Sequence, residues 1–397
     1  MIRSSNAPLV SVLMPSYNHE KFIRRAIDTV LAQTLGEIEL VIVDDGSYDA
    51  SPAIISEVKD SRVRFRLLER NQGACHAMNV ALQMSTGRFI AVCNSDDEWH
   101  EEKLARQMRL FGELPYVGAI FSDVEWIGDD GRKLQRSMSP PFARIFRQRN
   151  RSRWSWLRTL LETGNCLCHP SVLIQRDAYR LAGLYDNRLR QLPDMDMWTR
   201  IVEHFDIFVM PDKLVSFRIH DRNTSAPTPE ASRRDLNEHR FILKKTMDRI
   251  SRENFVRAFG FRSLNVSDEL DLRIEQALYL LSHRGRYAGM FRELGLEILF
   301  NTMSNANALD RLSDKFGFSV ADFHREMGVY TPWQEAAGIA VDAISGNARP
   351  GIGTIDLVKL LAFRVRSLVS LRVSMRLERI LRRSGPDTGV VRGVDSS

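Results

Sequence analysis

The sequence predicts an α/β fold in which a mixed, mainly parallel sheet carries helices on both faces, followed by an α-helical region. Apolar runs of strand length alternate with helical patterns through residues 9–93, which is typical of strand–helix–strand units. Three of these strands run directly into polar or acidic loops, and α/β sheets bind ligands at that edge. Beyond residue 228 the helical patterns continue without strand alternation.

The elements follow from local patterns. The first strand must end at Pro15, because proline cannot donate to a central ladder. The segment after it repeats apolar residues at helical spacing, with Phe22, Ile23 and Ala26 on one face. The predicted order is strand 9–14, helix 19–33, strand 39–43, helix 51–58, strand 63–68, a helix from 74 and strand 89–93.

Composition limits the class of protein. The chain has 397 residues, of which 44% are hydrophobic and 27% charged, as in ordinary globular proteins of roughly two or three domains. Four cysteines are too few for a disulfide framework in a chain of this length. A net charge of +6 does not require a nucleic acid, and we expect no such partner. Residues 1–8 lack the apolar core of a secretory signal, so we expect a cytoplasmic protein.

The stretch from Phe89 to Trp99 is the most informative one. An apolar strand empties into two adjacent carboxylates, Asp96 and Asp97, at the edge where ligands bind. Hard divalent cations take oxygen ligands, and the sequence has neither of the usual glycine-rich phosphate loops. We therefore predict a Mn²⁺ or Mg²⁺ site that neutralises a diphosphate. An Asx-type turn that merely closes the strand is the alternative from these residues alone.

Four short motifs occur in order: Val-Leu-Met-Pro-Ser-Tyr-Asn from Val12, Val-Asp-Asp-Gly-Ser from Val43, Asn-Gln-Gly from Asn71 and Asn-Ser-Asp-Asp from Asn94. Together they resemble the family 2 glycosyltransferases. The resemblance extends over about residues 9–225, through the segments 169–174, 183–186, 193–200 and 217–220. It implies a Rossmann-like GT-A fold and an inverting, metal-assisted enzyme. Such an enzyme moves a sugar from a nucleotide-sugar donor, here expected to be UDP-linked, to a saccharide or lipid-linked saccharide hydroxyl.

The resemblance also implies roles for individual residues. Asp194 matches the family's general base, although an aspartate at the start of a helix is equally expected as an N-cap. Metal ligation falls to Asp97, Asp96 and His220, and acceptor contacts fall to Trp198 and Asp196. The residues expected to bind the nucleotide and donor are Pro15, Tyr17, Asn18, Asp44, Asp45, Gly46, Asn71, Gly73, Asn79 and Asp96.

Three positions depart from the family's pattern. Asn94 stands where many relatives carry an aspartate, Met78 where they carry an arginine, and Pro193 where they carry a glutamate. Asn94 and Pro193 leave a non-catalytic sugar-nucleotide binding or scaffold protein as an alternative. A nucleotidyltransferase is a further alternative, which the absence of a basic, glycine-rich loop after the first strand disfavours.

We predict a boundary at the Pro/Ser/Thr-rich segment near residue 228, which separates a catalytic domain, 1–228, from a helical extension, 229–397. Residues 357–383 form a basic amphipathic pattern with arginines on one face. Such a helix can lie on an anionic membrane surface, here the inner face, or pack its apolar side on neighbouring helices. Both interpretations stay open from the sequence.

Overall fold

An eight-stranded mixed sheet lies at the centre of the computed structural model, which describes residues 7–135, 143–221, 223, 228–260 and 266–329. Its strand order is β3-β2-β1-β4-β7-β6-β8-β5. Neighbours β1–β2, β2–β3, β1–β4 and β6–β8 are parallel, whereas β4–β7, β6–β7 and β5–β8 are antiparallel. The predicted α/β class with a mixed, mainly parallel sheet is confirmed. The strands are β1 (Val10–Ser16), β2 (Ile38–Asp44), β3 (Val63–Leu67), β4 (Phe89–Val92), β5 (Glu98–Trp99), β6 (Val117–Ile127), β7 (Leu173–Gln175) and β8 (Asp206–Arg218).

Two hydrophobic layers cover the two faces of the sheet. Along β1, Val10, Val12 and Met14 belong to one buried cluster, and Leu13 between them belongs to the other. This alternation follows from the two-residue period of a strand. Both faces are therefore apolar, which explains why the central strands read as continuous apolar runs.

Thirteen helices are present in the described ranges. The first seven belong to the part of the chain that builds the sheet, and six more follow it. They are α1 (Ile23–Leu31), α2 (Ser51–Ser56), α3 (Ala74–Met84), α4 (Lys103–Glu113), α5 (Arg153–Thr163), α6 (Arg176–Ala182), α7 (Pro193–Val202), α8 (Pro229–Arg249), α9 (Arg252–Phe259), α10 (Glu269–Ser282), α11 (Ala288–Thr302), α12 (Ala308–Asp314) and α13 (Val320–Val329).

The sequence pattern of segment 169–174 indicates a strand, but the structure forms a 3₁₀ turn at His169–Ser171 followed by β7. Pro170 lies within the turn, where its missing N–H costs no ladder hydrogen bond. The strand that remains is short because it fills only the gap between β4 and β6.

The helices after residue 228 pack on the sheet domain. Helix α8 begins at Pro229, and the Thr228 side chain caps it by accepting from the Ala231 N–H. Ile242 and Leu243 of this helix belong to the same buried cluster as Leu13 of β1. The division at 228/229 stays a prediction, and the basic segment 357–383 lies outside the described residues. Among the described residues, no helix is both long and apolar enough to cross a lipid bilayer.

Strand pairing brings distant residues to one edge of the sheet. Because β1, β2 and β4 are parallel, the loops after Ser16, Asp44 and Val92 emerge side by side. Strand β5 pairs antiparallel with the end of β8, so that Glu98 faces Ser216. The segment that follows β8 therefore returns to the loop that carries Asp96.

Candidate active site

A buried carboxylate organises the first two loops of this edge. Asp44 is fully buried at the end of β2, and its Oδ2 accepts from the hydroxyls of Ser16 at 2.9 Å and Ser47 at 2.8 Å. Its Oδ1 accepts from the Ser47 N–H at 2.7 Å. Asp44 thus fixes the turn after β2 against the turn after β1, and both turns belong to the predicted donor site.

An aromatic pair lies on the outer side of these turns. Tyr17 is 39% exposed, and its ring meets the exposed ring of Tyr48 edge to face, with centroids 6.2 Å apart. Asn18 holds the two turns together, because its Oδ1 accepts from the Tyr48 N–H at 3.0 Å and its N–H donates to Ser47. Its backbone has a positive φ of 54°, which asparagine tolerates. An exposed aromatic on a fixed polar turn can stack on a planar base.

Asp45, which follows Asp44, accepts hydrogen bonds from backbone N–H groups. Asp45 accepts from the Gln72 N–H at 2.9 Å and from the Gly73 N–H at 2.8 Å. It therefore ties the turn after β2 to the start of α3. Gly46 has a φ of 74°, and a Cβ there would lie 2.8 Å from the Arg70 backbone, so only glycine fits. Asn71 is exposed beside this junction.

Three side chains at this edge could hold a metal ion. His19, Asp96 and His220 each offer a potential ligand atom, and these atoms lie within 4.8 Å of one another. Asp96 is buried, and its Oδ2 lies 3.0 Å from His220 Nε2. His19 Nδ1 lies 2.7 Å from the hydroxyl of Ser95. Burial raises the pKa of Asp96, but the hydrogen bond and charge of His220 and the charge of His19 outweigh it and lower the pKa overall.

Asp97 is not a member of this group and has other partners. Its Oδ1 accepts from the Arg218 N–H at 2.9 Å, and its Oδ2 accepts from Asn94 Nδ2 at 3.0 Å. Burial and the charge of Asp96 raise the pKa of the Asp97 carboxyl. Asp97 therefore holds the end of β8 that leads to His220. The amide at Asn94 suits this neighbour, since a carboxylate in its place would repel Asp97 at hydrogen-bonding distance.

Asp194 lies in the first turn of α7. The N-cap residue of this helix is Leu192, so the alternative that Asp194 is the N-cap is wrong. One carboxylate oxygen accepts from Asn165 Nδ2 at 2.5 Å, and the other accepts from the Met195 N–H at 2.9 Å. Burial raises the pKa of Asp194 to about 6, against the lowering effect of these two donors. A partly buried carboxylate of this basicity can take a proton near neutral pH.

The charge of Asp194 acts on two buried thiols, Cys168 and Cys75. Burial raises the pKa of Cys168, and the charges of both Asp97 and Asp194 add to the increase. Burial likewise raises the pKa of Cys75 at the start of α3 to about 12, with a contribution from Asp194. Cys75 Sγ also donates to the Leu189 carbonyl, in the loop before α7, at 3.3 Å. The loop that leads to Asp194 is therefore joined to the start of α3, which Asp45 ties to the turn after β2.

The two residues predicted to contact the acceptor are buried. Asp196 has no exposed surface and pairs with Arg200 at 2.7 Å and with Lys245 of α8 at 3.2 Å. Trp198 is 1% exposed and packs edge to face on Phe121, with centroids 4.8 Å apart. This burial leaves neither side chain a surface for a bound acceptor. Both support α7 from within.

Three other residues of interest also have internal roles. Asn79 is buried in α3, where it donates to the Tyr185 carbonyl and accepts from the Tyr185 N–H, both at 2.9 Å. Met78 belongs to the core beneath α3, so an arginine missing there removes no surface contact. Pro15 is partly buried within β1 opposite Val43 of β2, and the strand continues to Ser16, so the prediction that it ends at Pro15 is wrong.

The structure adds two residues that sequence reasoning missed. His19 sits in the turn before α1, where an isolated histidine gives no local sign that it meets Asp96. Asn165 follows Gly164 at the end of α5, and its contact with Asp194 spans 29 residues. The tripeptide Thr-Gly-Asn that precedes Cys166 signals a turn but not its partner.

Comparisons with known proteins find a matching family model for the part of the chain that contains β1, β2 and β4. Residues 11–176 match the model of the family described as Glycosyl transferase family 2. The chain is 28% identical over 238 residues to the putative teichuronic acid biosynthesis glycosyltransferase TuaG of Bacillus subtilis, covering 59% of this chain and 88% of that protein. It is 43% identical over 102 residues to the UDP-Glc:alpha-D-GlcNAc-diphosphoundecaprenol beta-1,3-glucosyltransferase WfgD of Escherichia coli, covering 26% of this chain and 40% of that protein. Among solved structures, S. aureus TarS 1-349 in complex with UDP-GlcNAc is similar with a TM-score of 0.49 and 18% identity, over 78% of this chain and 92% of that chain.

Proposed function

Because residues 11–176 match the model of glycosyl transferase family 2, we propose that the protein transfers a sugar from a UDP-linked donor to a saccharide or lipid-linked saccharide hydroxyl, with inversion at the anomeric carbon. The observation that carries this proposal is Asp194. It is a partly buried carboxylate whose pKa burial raises to about 6, it accepts from Asn165, and the loop before its helix is hydrogen-bonded to the start of α3, beside the turns assigned to the donor.

In the proposed reaction Asp194 is the general base. The acceptor hydroxyl loses its proton to Asp194 as its oxygen attacks the anomeric carbon, and the bond from that carbon to the diphosphate breaks. The Asn165 amide holds one carboxylate oxygen in place. The Met195 N–H of α7 orients the other oxygen. A direct displacement of this kind needs a single base and inverts the configuration.

We assign the nucleotide to the turns after β1 and β2. Tyr17 offers an exposed ring for stacking on the base, while Asp44 and Asn18 keep its turn rigid. We assign Gly46, Asn71 and Gly73 to the neighbouring part of the nucleotide site. Asp45 holds Gly73 there by accepting its N–H, and Gly46 packs against the Arg70 backbone. A UDP donor is supported by the E. coli relative, whose name specifies UDP-Glc.

We propose that His19, Asp96 and His220 hold the divalent cation, with Asp97 as a positioning residue behind them. Two imidazoles and one carboxylate within 4.8 Å fit such an ion, and imidazole nitrogen favours Mn²⁺ over the harder Mg²⁺. When bound, the cation would supply positive charge to the departing diphosphate.

The acceptor is proposed from the relatives. The B. subtilis relative is named for teichuronic acid biosynthesis, and the E. coli relative for a diphosphoundecaprenol-linked sugar. A role in polysaccharide biosynthesis, with a saccharide or lipid-linked saccharide as the acceptor, agrees with both names.

A donor panel tests the proposal. The purified protein is incubated with UDP-, GDP- and dTDP-sugars and candidate acceptors, with Mn²⁺ or Mg²⁺, and the release of nucleoside diphosphate is measured. We expect release from a UDP-sugar that requires acceptor and is fastest with Mn²⁺. Release of pyrophosphate instead would indicate nucleotidyl transfer, and tight UDP binding without any turnover would indicate a binding protein.

A further inference from the structure

Helix α8, from the region after residue 228, is attached to the loop that presents the proposed base. Glu238 of this helix is 5% exposed, and its carboxylate accepts three consecutive backbone N–H groups. Oε1 accepts from Arg190 at 2.9 Å, and Oε2 accepts from Gln191 and Leu192, each at 2.7 Å. Hydrogen bonds to a charged acceptor are the stronger kind, and three on one buried carboxylate fix the loop firmly.

These amides immediately precede the catalytic helix. Leu192 is the N-cap residue of α7, and Asp194 is the second residue of that helix. Displacement of the amides therefore displaces Asp194. The same helix holds α7 further along, because Lys245 pairs with the buried Asp196 at 3.2 Å.

His239, the residue after Glu238 in α8, holds the segment that leads to Asn165. His239 Nε2 donates to the Leu161 carbonyl of α5 at 2.7 Å. Helix α5 ends at Thr163, and its C-cap residue Gly164 directly precedes Asn165, which donates to Asp194. Two adjacent residues of α8 thus secure both the segment that carries the base and the segment that carries its hydrogen-bond donor.

We propose that Glu238 is a positioning residue for the general base Asp194, so that the helical region after residue 228 forms part of the catalytic centre. The proposal rests on the proposed function of Asp194. It assigns to Glu238 two effects, which are the placement of α7 and an electrostatic contribution to the basicity of Asp194.

The electrostatic effect follows from the groups around the base. Cys75 from α3, Cys168 and Tyr185 from the loops, and Glu238 from α8 interact electrostatically with Asp194. Burial raises the pKa of the two thiols and the phenol, so they are neutral at pH 7. Glu238 accepts N–H hydrogen bonds as an ionised carboxylate does. Burial is the main cause of the raised pKa of Asp194, and the negative charge of Glu238 adds to it.

The test compares Glu238→Gln, which removes the charge, with Glu238→Asp, which keeps it on a shorter side chain. We expect kcat to fall about 10- to 100-fold in both variants, since a small displacement of a reacting group has that effect. The affinity for UDP should stay unchanged in both. The acid limb of the kcat–pH profile should move to lower pH in Glu238→Gln only, because only that variant removes the charge that raises the pKa of Asp194.

Glu297→Gln is the matched control. Glu297 of α11 also pairs with α8, through Arg240 and Lys244, and within the described part of the chain it has no hydrogen bond or ion pair with residues 190–192. We expect wild-type kcat and pH profile in this variant. Wild-type kcat in Glu238→Gln, or a loss confined to UDP affinity, would overturn the proposal. So would an unmoved acid limb in that variant.

Hydrogen exchange separates this proposal from the proposed function. The amides of residues 190–192 should exchange faster in Glu238→Gln than in wild type or Glu297→Gln, whether or not a substrate is known. Unchanged exchange there would refute the positioning role. If the wild-type protein transfers no sugar, but residues 190–192 still exchange faster in Glu238→Gln than in wild type, the result would instead refute the proposed function.

Discussion

Substitution of Asp194 by asparagine should stabilise the protein while it abolishes transfer. The pKa of this carboxyl rises from an ordinary 3.8 to about 6, chiefly because burial disfavours its charged form. A shift of this size corresponds to about 3 kcal/mol of unfavourable free energy for the ionised form in the folded state. The penalty is fully present above pH 6, shrinks as the pH falls towards 3.8 and is absent below it.

The asparagine side chain recovers only part of this free energy. Its oxygen can still accept from Asn165, but its amide group then faces the Met195 N–H, which loses its acceptor. The lost hydrogen bond costs about 1–2 kcal/mol. We therefore expect a net gain of about 1–2 kcal/mol, which corresponds to a Tm rise of roughly 1–3 °C in a chain of this length.

Thermal unfolding at pH 8 and at pH 4 measures the effect. Asp194→Asn should melt above wild type at pH 8, and the difference should disappear or change sign at pH 4. Asp177→Asn, at a side chain that is 74% exposed, is the control and should show no pH-dependent difference. Equal Tm values of Asp194→Asn and wild type at pH 8 would refute the raised pKa on which the base assignment depends.

Three further predictions concern other parts of the site. Asn165→Ala removes a donor to Asp194, so the acid limb of the kcat–pH profile should move to higher pH; a shift to lower pH contradicts the assigned contact. Asp96→Asn should weaken Mn²⁺ binding at least about tenfold, measured by EPR without substrate, and undiminished affinity would remove Asp96 from the cation site. Tyr17→Ala should weaken UDP binding about tenfold by calorimetry while Tyr17→Phe binds normally, and equal affinities would exclude stacking on this ring.

The central strands and the edge of the sheet that carries the candidate site could be predicted because short stretches of sequence indicate both. Buried parallel strands are apolar on both faces, so β2 and β4 stand out as continuous runs that end in carboxylates. Parallel pairing then places the loops after them together without any knowledge of their side chains. The predicted neighbourhood of Asp44 and Asp96 followed from that geometry alone.

The rest of the sheet carries a weaker signal. Strand β8 contains Pro211 and Lys213, and its register against β6 is interrupted near Asp123. Such an irregular, partly exposed strand shows neither a clean alternation nor a continuous apolar run. It was not predicted, although it delivers His220 to the site.

The supporting contacts could not be predicted because they join distant parts of the chain. Asp196 lies in a motif that resembles a functional one, but its partner Lys245 follows 49 residues later and makes it a buried ion pair. Glu238 likewise meets its amides across 46–48 residues. Spacing along one sequence does not show such pairings, so residues that bear on catalysis and residues that support them look alike.

The most direct test of the central claim is single-turnover transfer by wild type, Asp194→Asn and Asp177→Asn, with the product's anomeric configuration read by NMR. The account predicts inversion, unchanged UDP affinity in Asp194→Asn and a transfer rate about 10²- to 10⁴-fold below wild type, with Asp177→Asn unaffected. Transfer by Asp194→Asn within about tenfold of wild type, or a product with retained configuration, would contradict Asp194 as the base of a direct displacement.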